Sequence, residues 1–319
     1  MERDRLELLA QVATLYYLDN LSQEQIAAQL GYSRSMISRL LREAREQQVV
    51  EIRVHYPLER CADLERELMS RLGLPFVQVI ARRSLTYEQM LRRLGEVAAR
   101  SVESLVTDGM TIGISWGTAL REMTNQLDPL GQTGIHVVQI IGALDTREPD
   151  IDGPNLARSF AQAFGGTFST LPAPLIVESA TTAQALMGDR SIKRILARAE
   201  DMDMVAMGIG TVNPRRSSLL RAGYLASEEL DELMAAGIVG DVCGIHFDVH
   251  GQWVDVPLQR RRIGISAETL VKTPIKMGIA GGEAKAFSIL GACRSKLVNY
   301  LVTDETAARR VLQQLKGED

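Results

Sequence analysis

No lysine precedes Lys193 in this chain of 319 residues, so no side-chain amine chemistry can come from the N-terminal half. Cysteine is nearly as scarce. Cys61, Cys243 and Cys293 are odd in number, far apart and without metal-ligand spacing, which argues for free thiols in a reducing cytoplasm. Histidine is limited to His55, His136, His246 and His250. They form no HxxxH pattern, and the spacing offers no base held by an orienting partner. Neither metal nor cofactor is expected. His246 and His250, flanking a turn with Asp248, read as exposed turn residues. Apolar runs long enough to span a bilayer are also lacking. The opening "MERDRLELLAQ" has no apolar core or cleavage site of a secretory signal, so a cytoplasmic protein without a membrane partner is expected. Positive charge is short as well. With 36 Lys and Arg against 40 Asp and Glu, the net charge is -4, and the whole chain does not read as a nucleic-acid binder.

Local charge tells a different story. Segment 33–45 holds Arg34, Arg39, Arg42 and Arg45 against one acid, Glu43. It sits in a compact pattern. Residues 4–18 carry apolar residues at helical spacing. Ser22 and Gln25 form a capping-box pattern, Gly31 suits a helix C-terminus, and Ser33 caps a further helix. On that third helix Ile37, Leu40, Leu41 and Ala44 share one face, while Ser35, Ser38, Arg39 and Arg42 share the opposite one. Small hydroxyls allow close approach to a groove floor, and arginine supplies bidentate bonds to guanine and charge for phosphates. This is the layout of a helix-turn-helix whose third helix reads DNA through Ser33, Arg34, Ser35, Ser38, Arg39 and Arg42. "VVEIRVHY" (49–56), ended by Pro57, would be the strand of a wing, with Arg53 near phosphates. The bland alternative is a solvated helix face, although such faces usually mix both signs.

Beyond residue 57 the pattern changes. Residues 59–72 read as a linker helix with Leu64, Leu68 and Leu72 on one side, placed to support an oligomer or to pack on the domain that follows. Short apolar strands then alternate with helices, which argues for a mostly parallel, Rossmann-like sheet covered on both faces. "VGDVCGIHFDVHGQWV" reads as a hairpin turning at His250–Gly251. The expected domains are therefore 1–57 and 58–319. In open α/β sheets, ligands sit beyond the carboxyl ends of the strands. Three such ends are rich in glycine and small polar residues: "GISWGTAL" with Ser115, Gly117 and Thr118, "GIGT" (208–211), and "AGGEAK" with Lys285 in the first turn of the next helix. "GDVCG" sets Asp241 between glycines. Donors at a helix start and a lysine opposed to the helix dipole suit an anion, although a glycine at such a turn is often only a tight turn.

The ordered set "LYYLDNLSQEQIAAQLGYSRSMISRLLREAREQQVVEI", "GISWGTAL", "GDVCG" followed by "FD", "AGGEAK" and "NYLVTDETAARRVL" resembles the SorC family of bacterial transcriptional regulators over nearly the whole chain. The resemblance implies a winged helix-turn-helix followed by an effector domain related to sugar-phosphate isomerases and deaminases. It also implies operator DNA and a phosphorylated sugar as partners, and assembly as a homo-tetramer. It places Ser115, Gly117 and Thr118 at the phosphate loop, Asp241 at sugar hydroxyls, Lys285 at the phosphate, and Gln139 and Asn155 in the lining. Some relatives carry a lysine in the strand where this chain has Ile141, so reversible rather than covalent sugar binding is expected. Two rivals stand beside this reading: an isomerase- or deaminase-like enzyme with a DNA-binding appendage, and a module that binds protein.

Overall fold

The computed structural model describes residues 2–47, 49–50, 59–128, 131–144 and 149–318. The chain divides into two compact units, Met1–Pro57 and Leu58–Asp319.

The first unit holds three helices, α1 (Glu2–Tyr17), α2 (Gln23–Leu30) and α3 (Arg34–Glu46). Their boundaries follow from the capping chemistry. The Ser22 hydroxyl accepts from Gln25 N while the Gln25 side chain accepts from Ser22 N. Gly31 ends α2 at φ +73°, a left-handed conformation that costs glycine little. The Ser33 hydroxyl accepts from Met36 N to start α3. Leu9, Val12 and Ala13 of α1, Ile26 and Ala27 of α2, and Ile37, Leu40, Leu41 and Ala44 of α3 form one core. Each fully buried Leu or Ile contributes about 1.5–3 kcal/mol. Val49 and Val50 form a bend whose N–H groups both return to Ala44 O. The rest of the expected wing strand, with Arg53 and His55, lies outside the described residues.

The second unit is built on a seven-stranded, all-parallel sheet in the order β1-β9-β8-β5-β2-β3-β4. Its strands are β1 (Phe76–Ile80), β2 (Thr111–Ile114), β3 (His136–Gln139), β4 (Thr167–Ser169), β5 (Met204–Gly208), β8 (Ile275–Ile279) and β9 (Tyr300–Asp304). A separate antiparallel hairpin pairs β6 (Ile238–Val242) with β7 (Ile245–Asp248). Central strands such as "MVAMG" are buried almost throughout, as expected of a sheet covered on both faces. One large core lies on each face.

The strand order decides where a ligand can go. Following the chain from the β2/β5 boundary, β3 and β4 extend to one side while β8 and β9 extend to the other. This reversal opens a crevice at the carboxyl ends of β2 and β5. Because β8, β5 and β2 are neighbours and parallel, the loops after them, 115–117, 209–211 and 280–282, meet at one end of the sheet.

Several details differ from the sequence reading. The hairpin turns first at Cys243–Gly244. His250–Gly251 makes a second turn, after which Trp253 pairs back with Phe247. The helix Ala62–Leu72 buries Leu64 and Leu68 in the core of its own unit, with Leu72 packed beside them. That apolar side is packed within its own domain, the second of the two roles the spacing allowed. The segment after "AGG" begins as a 3-10 turn, Glu283–Lys285, before the helix Ala286–Arg294. Strand β4 and the short helices Ser218–Arg221, Pro257–Arg260 and Ala267–Lys272 carry too few residues to show a period.

Candidate functional site

Two surfaces carry chemistry, one in each unit. In the first, the apolar stripe of α3 is buried while Ser33, Arg34, Ser35, Ser38, Arg39 and Arg42 are all exposed. The Ser33 and Ser35 hydroxyls lie 3.0 Å apart at the start of the helix. Arg34 pairs with Glu24 of α2 at 2.7 Å, a surface ion pair of little strength that a phosphate can displace. The acid of this segment is turned aside: Glu43 is held by the Arg5 guanidinium of α1, which keeps its carboxyl below the usual range. Exposed charge along the first two turns of α3 is therefore basic. A slender helix bearing hydroxyls and guanidinium groups suits the major groove.

In the second unit, a cavity of about 690 Å³ opens at the carboxyl ends of β2, β5 and β8. Ser115, Gly117, Thr118, Asp241 and Lys285 all line it. With Gly208, Ile209 and Gly210, which also line it, four segments distant in sequence thus converge. Gly117 adopts φ +130° with open space where a Cβ would stand. Its N–H is already given to Ile151 O at 3.1 Å, so this backbone group is not the free donor that the loop suggested. Ser115 is 2% exposed, and its hydroxyl lies against the Cys243 thiol, which burial pushes up to about 12. Asp241 accepts from Gly244 N at 3.0 Å. A Cβ at residue 210 would overlap its carboxylate, so Gly210 is required for Asp241 to sit there. Lys285 donates from Nζ to Ile209 O at 2.5 Å. Burial, reinforced by Arg221 and Arg216 and opposed by Asp241, pulls its amine down to about 8.

Two residues expected in the lining are elsewhere. Gln139 is fully buried. It donates to Ile141 O at 2.7 Å and accepts from Leu171 N at 2.9 Å, joining the end of β3 to the segment beyond β4. Asn155 donates to Pro149 O and accepts from Arg158. Neither borders the cavity. His246 also departs from expectation: it is 1% exposed, not a surface turn residue. It stands opposite Asp241 across the hairpin, and burial, with Arg262 adding to it, lowers its pKa. It faces inward because the hairpin turns at Cys243–Gly244 rather than only at His250. His250 itself is exposed.

The structure adds lining residues that sequence reasoning missed. Arg121 lies one turn into the helix Thr118–Thr124, and Arg216 and Arg221 come from the segment after β5. The Arg216 guanidinium sits 3.7 Å above the Tyr87 ring, a cation–π contact at the cavity wall. Arg216 and Arg221 could have been found by following "GIGT" a few residues further. Tyr87 and Glu88 had no local signal, since the helix Tyr87–Leu105 reaches the cavity only through tertiary packing. Among the lining side chains, Arg121, Arg216, Arg221 and Lys285 oppose Glu88 and Asp241. Arg121 is paired with Glu122 at 2.8 Å, so three cations against two carboxylates remain and give a wall that attracts anions, beside hydroxyl and carboxylate groups able to bind a polyol. Among the described residues no group of three or more His, Cys, Asp or Glu side chains could hold a metal ion.

Comparison with known proteins covers both units. The Sugar-bind family model, a sugar-binding domain, matches residues 56–313. The Sigma-70, region 4 family model matches residues 8–53. The transcriptional regulator LsrR of Enterobacter sp. (strain 638) is 34% identical over 309 residues, 96% of this chain and 93% of that one. The deoxyribonucleoside regulator of Bacillus subtilis is 31% identical, covering 99% of this chain and all of its own. The crystal structure of the full-length sorbitol operon regulator SorC from Klebsiella pneumoniae superposes with a TM-score of 0.74 at 30% identity, over 97% of this chain and 99% of that one. These relatives are regulators, not enzymes, and the isomerase-like alternative falls away. No helix of the described residues is long and apolar enough to cross a membrane. A helix-turn-helix with a basic outer face, joined to a sugar-binding domain on an all-parallel sheet, places this chain in the SorC family of bacterial transcriptional regulators.

Proposed function

We propose that this regulator binds operator DNA in the cytoplasm through the first unit, residues 1–57, and that a phosphorylated sugar bound in the second unit, residues 58–319, controls that binding. The cation excess of the cavity carries the reading. A neutral sugar would leave Arg216, Arg221 and Lys285 only partly offset by Glu88 and Asp241, whereas a dianionic phosphate would remove the excess. Ser115 and Thr118 would bond the phosphate beside them, and Asp241 would accept from sugar hydroxyls. Ile141 lines the cavity, and an aliphatic side chain there leaves binding reversible. On α3, Arg39 would read a guanine, Arg42 would meet a phosphate, and Ser33, Arg34, Ser35 and Ser38 would contact the groove walls. The functional unit is a homo-tetramer, so recognition helices act in pairs. Paired half-sites should lie roughly 34–36 Å apart, or at multiples of that, for both helices to enter one face of the duplex.

The test is selection of bound duplexes from a random pool by the intact protein, with and without a mixture of hexose and pentose phosphates. Enrichment of a two-part site whose retention changes with the phosphates is expected. Enrichment that ignores the phosphates would remove the proposed control, and no enrichment at all would remove the operator role.

A further inference from the structure

Arg262 lies outside the cavity, yet its side chain reaches the turn that forms the cavity floor. Its Nη1 donates to Cys243 O at 3.1 Å and its Nη2 to Ile265 O at 2.7 Å. The first carbonyl belongs to the β6–β7 turn. The second belongs to a segment fastened to the end of β3: Ile265 N donates to Ile140 O, and Gly142 N to Ile263 O. The turn needs holding. Cys243 is a non-glycine residue at φ +55°, a conformation that persists only when its surroundings enforce it. The next residue, Gly244, is shaped around the same arginine, since a Cβ there would come within 2.6 Å of Arg262 Cδ. A Cβ at Gly264 would come within 2.9 Å of Nη1. The guanidinium is costly to place here. Its Nε is buried without a hydrogen-bond partner, as is the neighbouring His246 Nδ1, and Asp241 is the carboxylate that faces both groups. A half-buried cation whose Nε is buried and unsatisfied needs a reason beyond filling space.

We infer that Arg262 is a positioning residue of the cavity: by clamping the carbonyl of Cys243 to that of Ile265, it fixes the strained turn that presents Asp241 and Cys243 to the bound effector. The inference deepens the effector reading and rests on it for the ligand, but the clamp can be tested with no ligand present. Cys243 faces the cavity and Cys293 is buried in the helix Ala286–Arg294, so the pair serves as reporter and control. In a Cys61→Ser background, alkylation by iodoacetamide is followed cysteine by cysteine by peptide mass spectrometry. With Arg262→Met, Cys243 should react about tenfold faster or more, because local opening of the turn becomes easier, while Cys293 stays at the parent rate. Arg262→Lys keeps the charge but gathers its donors on one nitrogen, which cannot occupy the positions of both Nη1 and Nη2, and should fall between. It also serves if the methionine variant folds poorly. As a second readout, Trp253→Phe leaves Trp116, a cavity residue, as the single tryptophan, and its emission is titrated with fructose phosphate. Arg262→Met should weaken that response about tenfold, the lower end of the loss seen when partners that orient metal-ligating residues are removed. A parent that ignores fructose phosphate and every other sugar phosphate would count against the effector reading, while the labelling would still decide the clamp. An unchanged Cys243 rate in both variants would overturn the inference. So would acceleration shared equally by Cys293, which would reduce Arg262 to a general stabiliser.

Discussion

At the scale of single residues, Arg39 and Arg42 make the sharpest contrast. Both are exposed on one face of α3, but they are assigned different targets. Arg39→Ala should cost about 1–3 kcal/mol on the preferred duplex and relax preference at one base position. Arg42→Ala should weaken all duplexes alike and lower the salt slope by about one unit. Binding titrations on specific and random duplexes at several salt concentrations separate the two. Lys285 supports a pH prediction. Its amine is held at about 8 against an ordinary 10.5. A bound anion favours the ammonium form, so binding takes up a proton above that value. Effector affinity should therefore fall as pH rises through 8, above the range of about pH 6 where the phosphate itself titrates. Stability of the free protein should move the opposite way. Between about 8 and 10.5 the unfolded chain binds more protons at this site than the folded one, and its contribution to stability rises with pH over that window. Affinity measured from pH 6 to pH 10 for the parent and for Lys285→Met checks the sign. A pH dependence retained in the variant would assign it to another group.

At the scale of elements, the cavity depends on how the helix Thr118–Thr124 is seated. It packs against the helix Tyr87–Leu105 at Gly95, where a Cβ would come within 2.5 Å of the Glu122 backbone. Gly95→Ala should push the two helices apart and cost about 1–3 kcal/mol, the usual range for overpacking. Denaturant titration of the two proteins gives the difference. The helix Ala62–Leu72 teaches a different lesson. Its leucine stripe was legible from spacing, but spacing cannot say what covers a stripe. The structure shows that Leu68 is 0% exposed in its own domain's core. Leu68→Asp should therefore lower the melting temperature sharply through a buried charge, rather than yield a folded, dissociated protein. Ultracentrifugation alongside a thermal melt distinguishes these outcomes. The element pattern could be read where periods were long or caps strong: α1, α2 and α3, the alternation of strands and helices, and the glycine-rich strand ends. It could not be read in strand β4, in the four-residue helices, or in the first turn of the hairpin. There Cys243 takes a left-handed conformation that glycine normally marks.

At the scale of the whole molecule, the same logic explains which parts of the site were visible. Ser115, Gly117, Thr118 and Lys285 stood out because loops at parallel strand ends meet at the point where strand order reverses, and Asp241, in the antiparallel hairpin, stood out as an acid between glycines. Gln139 was misplaced because a polar residue near a strand end can bond backbone inward as readily as face a ligand. Tyr87 and Glu88 could not be found, since their presence depends on which helix covers which end of the sheet. The chain is acidic overall, with a net charge of -4, yet it concentrates positive charge on the exposed face of α3 and in one cavity. Both concentrations suit anionic partners, DNA for the first and a phosphorylated metabolite for the second. The most direct test of the second is thermal denaturation of the intact protein with matched sugars, each presented with and without its phosphate. A ligand that binds only the folded protein adds about 2.7 kcal/mol at about a hundred times its dissociation constant. For domains of this size that corresponds to roughly 2–4 °C per kcal/mol. At least one phosphorylated sugar should raise the melting temperature by several degrees while its free form does nothing, and Thr118→Val and Lys285→Ala should each shrink the rise without unfolding the protein. Equal shifts from free and phosphorylated sugars, or variants that respond like the parent, would contradict the assignment of this cavity to a sugar phosphate.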